Sequence, residues 1–323
     1  MTLRTIALFG ANGQVGDSIL RGLLAEDDHQ FKIHAFIPKG FELQHGQSHS
    51  KVFIHEFDLE TLSKDKLATE LKDVDAVISA LNGKALDAQP TIQDAAAAAG
   101  VARFYPSEFG MHNVYRKPDD PWGYVHPLWD SKQQSIDKAI FHPAVLEGKM
   151  TYTVVGAGDF YNQDREKVWC PWTQRDVEKY DLHIIGDPDA KADFTHLDDF
   201  GKYIVATLVN SGKSKNQFLN FTSDTISYNK IAELLEKYSG KKVNKNVMSQ
   251  DEMHEIIKSP SKAPEEMTES AFPVDFWFLV KGLQGQGSFR RPPGQIHNHL
   301  FTYIKPTTFE SYLKERFVRE KTV

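Results

Sequence analysis

Three glycines, one polar loop and one lysine carry most of the chemistry this sequence offers. In IALFGANGQVGDSIL, Gly10, Gly13 and Gly16 sit where an apolar run meets a helical pattern. Positions without side chains let the backbone turn sharply, approach a pyrophosphate and pack the helix close to the strand it leaves. Asn12, Gln14 and Val15 fill the rest of the turn and join the glycines as candidate dinucleotide contacts. A glycine triplet alone marks many tight turns. A strand before it, a helix after it and another strand about twenty residues on favour a cofactor site here. Cofactor type is set after that next strand, where a carboxylate would hold ribose hydroxyls and a cation would accept a 2'-phosphate. The chain reads HAFIPKG, with no carboxylate and with Lys39 as the nearest charge, so NADP is expected rather than NAD; Glu42 lies close by. As a loop lysine, Lys39 could equally be solvated.

Lys132 stands in WDSK near a helix start. A lysine there ordinarily keeps its ammonium in water, but burial in an apolar pocket lowers its pKa until the amine exchanges a proton near neutrality. Hydride addition to a polarised C=C or C=O builds negative charge on oxygen, which such an ammonium, or a water it holds, can neutralise. Leu128 occupies the position four residues earlier where ordinary short-chain dehydrogenases carry tyrosine, so that tyrosine–lysine pairing is absent. Tyr124 and His126, just upstream, could relay a proton to a substrate or simply pack their loop. Ser107 lacks the GxSxG setting of a hydrolase nucleophile, and Cys170 has no triad companion. His297 and His299 form an HxH pair expected on one strand face, without a third ligand. Arg290, Arg291, Pro292 and Pro293 read as a solvated turn.

These groups need a scaffold, and the first half of the chain supplies the pattern of a parallel sheet wound with helices. Residues 5–9, 32–37, 52–57, 76–80 and 103–105 read as strands, and 15–25, 63–71 and 91–99 as helices. Ala80 closes the fourth strand and joins the cofactor-binding set. Residues 107–127 are long enough for a functional flap rather than a plain connection. A helix over 128–140, a sixth strand over 151–155, a helix over 198–209, a strand-like 217–221 and an amphipathic 228–238 follow. Residues 258–268 read as a charged linker, and the tail 272–313, with GLQGQGSFRRPPG, as turn-rich. The expected fold class is α/β: an NAD(P)-binding Rossmann domain over 1–155 and a smaller α+β substrate lobe over 156–323, with segments returning to the first sheet.

At 323 residues, with 40% hydrophobic and 25% charged residues, the chain has the composition of a folded globular protein rather than a disordered or fibrous one. A net charge of -6 argues against nucleic acid as partner. The single cysteine argues against disulfides and points to a reducing, cytoplasmic setting. No stretch approaches the apolar length of a membrane span, and the start has no signal-peptide pattern.

The stretches GANGQVG, RFYPSEFG, WDSKQQSIDKAI, KADFTHLDDFGKY, LNFTSDTISYNKIAELLEKYSGKK and YIKPTTFESYL resemble, in order, the isoflavone reductase-like (phenylpropanoid reductase) branch of the NmrA-like atypical short-chain dehydrogenases/reductases. The resemblance covers nearly the whole chain, and PSEFG ahead of the lysine-bearing helix is its distinctive part. It implies an NADPH-dependent reductase of a small, aromatic or phenolic secondary metabolite. It places the catalytic lysine at Lys132, which also joins the cofactor-binding set, and the nicotinamide-side loop at Pro106, Ser107, Glu108 and Phe109. The substrate pocket falls at Phe160 and Tyr161, with Tyr124 and His126 on the flap and Trp129, Trp169 and Trp172 as further aromatic candidates for pocket or core. Two departures stand out. Pro38 and Lys39 occupy the place of the family's phosphate-gripping arginine, and residues 112–126 differ from the plant enzymes. The expected partners are a small-molecule substrate and NADP, in a monomer or homodimer. The alternative expectation is a redox-sensing regulator of the NmrA type that binds NADP without catalysis.

Overall fold

In a computed structural model of the chain, residues 2–59, 61–111 and 126–318 are described. The chain runs β1 (Thr5–Phe9), α1 (Gln14–Leu24), β2 (Lys32–Pro38), β3 (Val52–Phe57), α2 (Lys64–Glu70), β4 (Ala76–Ser79), α3 (Gln89–Ala98), β5 (Arg103–Tyr105) and α4 (Pro127–Ile140). It continues with α5 (Pro143–Leu146), β6 (Thr151–Ala157), β7 (Asp159–Phe160), β8 (Tyr180–Ile185), β9 (Lys191–Thr195), α6 (Leu197–Val209), α7 (Ser211–Ser214) and β10 (Gln217–Phe221). Last come β11 (Asp224–Ser227), α8 (Tyr228–Ser239), β12 (Val243–Met248), α9 (Gln250–Lys258), α10 (Val274–Gly285) and α11 (Phe309–Val318).

Two compact units divide these elements. The first comprises Met1–Ala157, Phe200–Phe221 and His297–Ile304. Its seven-stranded sheet has the order β10-β6-β5-β4-β1-β2-β3, every pair parallel. Strand order reverses between β1 and β4, which opens a crevice at their carboxyl ends, the usual ligand position of a doubly wound sheet. Alternation along the strands sends Ala7, Phe9, Phe36 and Val77 to one face, where they pack with Leu67 and Leu71 near α2, Ile92, Ala95 and Ala96 of α3, and Ala139 of α4. Phe9 and Phe36 stack at 4.2 Å between ring centroids, and the Phe57 ring stands edge-on to Phe9 at 5.7 Å. On the other side, α1 and α6 approach so closely that a Cβ at Gly201 would lie 2.3 Å from the Ser18 carbonyl oxygen. Glycine at that crossing is therefore a packing requirement.

The second unit comprises Gly158–Asp199, Thr222–Ile296 and Lys305–Val323. It holds a three-stranded sheet, β11-β9-β7, and the two-stranded parallel pair β12-β8. Its inner element is α10, which sequence patterning assigned to a turn-rich tail. The segment is instead a helix buried from Phe276 to Gly285. Apolar residues all round leave it no amphipathic period, and Gly282 and Gly285 look like turn signals. Both glycines serve close packing: a Cβ at Gly285 would fall 1.5 Å from the Ile185 carbonyl oxygen, and one at Gly282 would fall 2.1 Å from Met253 Sδ.

Two smaller expectations are also corrected. Asn298–Phe301, which includes His299, is a 3-10 turn rather than a strand, and His297 Nδ1 accepts the Asn220 backbone N–H at 3.0 Å. Arg291 is buried rather than solvated, its N–H donating to Asp193 at 2.8 Å. Among the described residues no helix is long and apolar enough to cross a membrane.

Candidate active site

The crevice in the first unit is built from the turns that follow β1 and β4. Gly10 N–H donates to Phe36 O at 3.0 Å and Ala80 N–H to Phe9 O at 2.9 Å, tying the ends of β2, β1 and β4 together. Gly10 lies at φ +75°, a region that L side chains avoid, and a Cβ there would sit 2.6 Å from the Ala80 carbonyl oxygen. A Cβ at Gly16 would fall 2.0 Å from Gly10 O. Gly13 is the N-cap of α1, and the first-turn N–H groups that follow have no intrahelical acceptors. Asn12, Gln14 and Val15 are half-buried around it, and the free N–H groups of a helix N-terminus are a setting in which an anion can be held. Gln14 Oε1 is buried with no hydrogen-bond partner in the protein, as expected of a group facing a bound molecule.

One residue beyond Ala80, the chain becomes the floor of the lysine site. The Leu81 carbonyl oxygen accepts from Ser107 Oγ at 2.5 Å and from Lys132 Nζ at 3.1 Å, and Lys132 Nζ also donates to Ser107 Oγ at 2.6 Å. Lys132 is 5% exposed. Burial pulls its pKa down to about 8, with the Glu108 carboxylate acting in the opposite direction. Among the described residues its hydrogen-bond partners are neutral oxygens, and a buried ammonium so held can exchange its proton near neutral pH.

Local sequence explains the placement. Pro127 at the first helical position starts α4, capped by His126, whose Nδ1 accepts the Leu128 N–H at 3.2 Å. Helical spacing then turns Trp129, Lys132, Ser135, Ile136 and Ala139 inward as one buried stripe. The PSEFG loop follows β5 directly. Pro106, Ser107, Glu108 and Phe109 are all buried, and Phe109 adopts φ +49°, which costs strain outside glycine. Its N–H donates to Val155 O at 3.1 Å and its ring meets Phe200 edge-on at 5.2 Å, and these contacts hold the bend.

The crevice thus gathers Gly10, Gly13, Gly16, Ala80, Ser107 and Lys132 around the switch between β1 and β4. Lys39 is exposed in the turn after β2, beside a cleft of about 290 Å3 that also takes in Ser63, Lys66, Glu56 and Asp58. Phe160 and Tyr161 belong to the second unit. Tyr161 is fully enclosed, its hydroxyl donating to Thr307 O at 2.5 Å and its ring stacked on Phe309 at 4.2 Å. Tyr124 lies outside the described residues. Trp129, Trp169 and Trp172 are buried. Two site residues escaped the sequence reading: Leu81, which acts through its backbone, and Gln89, whose amide spans the lysine helix and the loop. Gln89 and Gln93 in QPTIQDAAAAAG, two amides four apart on an alanine helix, were the available signal.

An asnovolin J 5',6'-dehydrogenase of Aspergillus novofumigatus is 26% identical over 330 residues, covering 96% of this chain and 94% of that protein. A phenylcoumaran benzylic ether reductase of Pyrus communis is 26% identical over 254 residues, covering 78% of each. The leucoanthocyanidin reductase of Vitis vinifera, solved as a binary complex with NADPH, superposes with a TM-score of 0.70 at 19% identity, covering 98% of this chain and all of that one. Residues 2–313 match the NmrA-like family, and the chain belongs to it.

Proposed function

We propose that the protein is an NADPH-dependent reductase of a small aromatic or phenolic substrate, with Lys132 managing the proton. The observation that carries this reading is the buried Lys132 ammonium, bonded to Ser107 and to the Leu81 carbonyl, next to the glycine cradle. Relatives named as a phenylcoumaran benzylic ether reductase and a pinoresinol reductase support the substrate class, and a neighbour solved with NADPH supports the cofactor. Gly10, Gly13, Gly16 and the start of α1 would hold the pyrophosphate, Ala80 and the loop from Pro106 to Phe109 would flank the nicotinamide, and Lys39 would face the 2'-phosphate. NADPH bound there would supply a hydride. Lys132 Nζ holds a proton for the substrate oxygen on which negative charge grows, Ser107 Oγ and Leu81 O keep Nζ aimed, and burial makes the proton easy to give.

Lys132→Ala tests the assignment, assayed by NADPH binding and by NADPH oxidation against enones, quinones and phenolic esters. Binding is expected to persist while oxidation falls about 10²–10⁴-fold, the usual worth of a positioned acid. Unchanged oxidation would remove Lys132 from the mechanism. Binding without oxidation in the unmodified protein would favour a dinucleotide-sensing regulator.

A further inference from the structure

Among the described residues Lys132 has two hydrogen-bond partners to aim it, the Leu81 carbonyl and Ser107, and the position of Ser107 is set from elsewhere. Ser107 stands in a loop whose next turn is strained, so its own backbone needs an anchor. That anchor is a side chain from α3. Gln89 Oε1 accepts the Ser107 N–H at 2.8 Å, while Gln89 Nε2 donates to Ser135 Oγ at 2.7 Å and leans on Ser135 O at 3.3 Å. Ser135 lies one helical turn beyond Lys132 on the same buried stripe of α4. A single amide thus grips both parts that must meet, the loop carrying Ser107 and the helix carrying Lys132. Gln89 itself is 1% exposed and does not contribute to the glycine cradle.

We infer that Gln89 is a positioning residue for the proposed reaction, an amide clamp that sets the contact between Lys132 and Ser107. The inference rests on the reading of Lys132 given above. The geometry asks for glutamine in particular. One end must accept from a backbone N–H and the other must donate beside a carbonyl; glutamate loses the donor, leucine loses both, and asparagine is one methylene too short to span the gap. One turn along α3, Gln93 Nε2 donates to Ala139 O at 2.8 Å, a second tie between α3 and α4 that leaves the loop untouched and so serves as a control. Charge acting on Lys132 comes from Glu108 on the loop, while Asp94 of α3 and Lys138 of α4 line the same pocket as Gln89 and Ser135.

The test needs no substrate. In the full chain carrying ¹³Cε-labelled lysine, the Lys132 resonance, assigned by its loss in Lys132→Met, is titrated with pH, and deuterium exchange is followed across residues 103–111. In Gln89→Leu the Ser107 amide should exchange faster. Lys132, freed toward water, should titrate about one unit higher. Gln89→Glu, which keeps the acceptor but adds a charge, should leave Ser107 protected and still raise the Lys132 titration. Gln93→Leu should change neither reading. If Gln89→Leu does not fold, Gln89→Met, uncharged and close in length to glutamine, decides on the same two readings, because the carboxylate of Gln89→Glu raises the Lys132 titration by its charge alone. Lys132 titrating unchanged in a folded Gln89 variant, whatever the loss of thermal stability, would reduce Gln89 to a structural tie and overturn the inference. That outcome is separate from failure of the functional reading, which shows as unchanged oxidation by Lys132→Ala.

Discussion

Each unit of the molecule buries a lysine, and the two have opposite chemistry. Lys132 in the first unit is 5% exposed and bonds a hydroxyl and a carbonyl. Lys281 in the second is 2% exposed and lies 3.2 Å from Asp159 Oδ2, with the Trp169 and Tyr228 rings at 4.8 and 5.6 Å from its Nζ. Burial depresses both amines. At Lys132 burial wins and the pKa falls to about 8. At Lys281 the burial effect is overcome by the Asp159 carboxylate and by Tyr228, and the pKa rises above the ordinary range. Burial alone therefore does not make an amine reactive. A directly bonded carboxylate locks the proton on, whereas neutral oxygens leave it exchangeable.

Removing the carboxylate from the second site is the strongest way to sharpen this contrast. Asp159 accepts from Trp169 Nε1 at 2.7 Å and Gln284 Nε2 at 2.7 Å as well as from Lys281. Asp159→Ala strands three donors, one of them the buried Lys281 charge, and is expected to cost about 3–5 kcal/mol of stability. Urea unfolding at neutral pH measures it. A loss below about 1 kcal/mol would mean that the pair is solvated, and the contrast between the two lysines would fail.

A smaller effect separates the sites by pH. With a folded pKa of about 8, Lys132 is mostly an ammonium at pH 7 and mostly a free amine at pH 9. If the ammonium is the working form, kcat/KM for NADPH oxidation should fall about tenfold between those values. The same shift has a fixed sign for stability. The unfolded lysine binds a proton more tightly than the folded one, so the contribution of Lys132 rises with pH between about 8 and its ordinary value and is unfavourable below. A flat rate profile across the window, or a rate that rises, would assign the proton to another group.

The two regions were also unequally legible in the sequence. The strands and helices of the first unit alternate at short range, and Gly10, Gly13, Gly16, the PSEFG loop and Lys132 each announce themselves within a few residues. In the second unit the signals are long-range. The strand VNKNVM has little apolar pattern because it gains its place by pairing with Tyr180–Ile185, and FWFLVKGLQG hides a helix because every face is covered. Lys281 sits inside that apolar run with a partner 122 residues away. Gln89 was equally hidden: its partners stand 18 and 46 residues on, so neither periodicity nor motif connects them.

Lys39 supplies the smallest effect and a reference for both buried amines. It is exposed in the turn after β2, in a cleft shared with Lys66 but also with Glu56, Asp58 and Glu70. A solvated cation contributes about 0.2–1 kcal/mol and is screened by salt. Lys39→Ala should therefore weaken NADPH binding by only about two- to fivefold, leave NADH binding unchanged, and lose even that difference at high ionic strength. Fluorescence titration of both nucleotides at low and high salt reads the result. A loss of a hundredfold, insensitive to salt, would show that the cleft closes over the phosphate and shields this lysine as well. Dryness would then no longer distinguish the amine that moves a proton from the one that grips an anion, and only the identity of the bonded oxygens would.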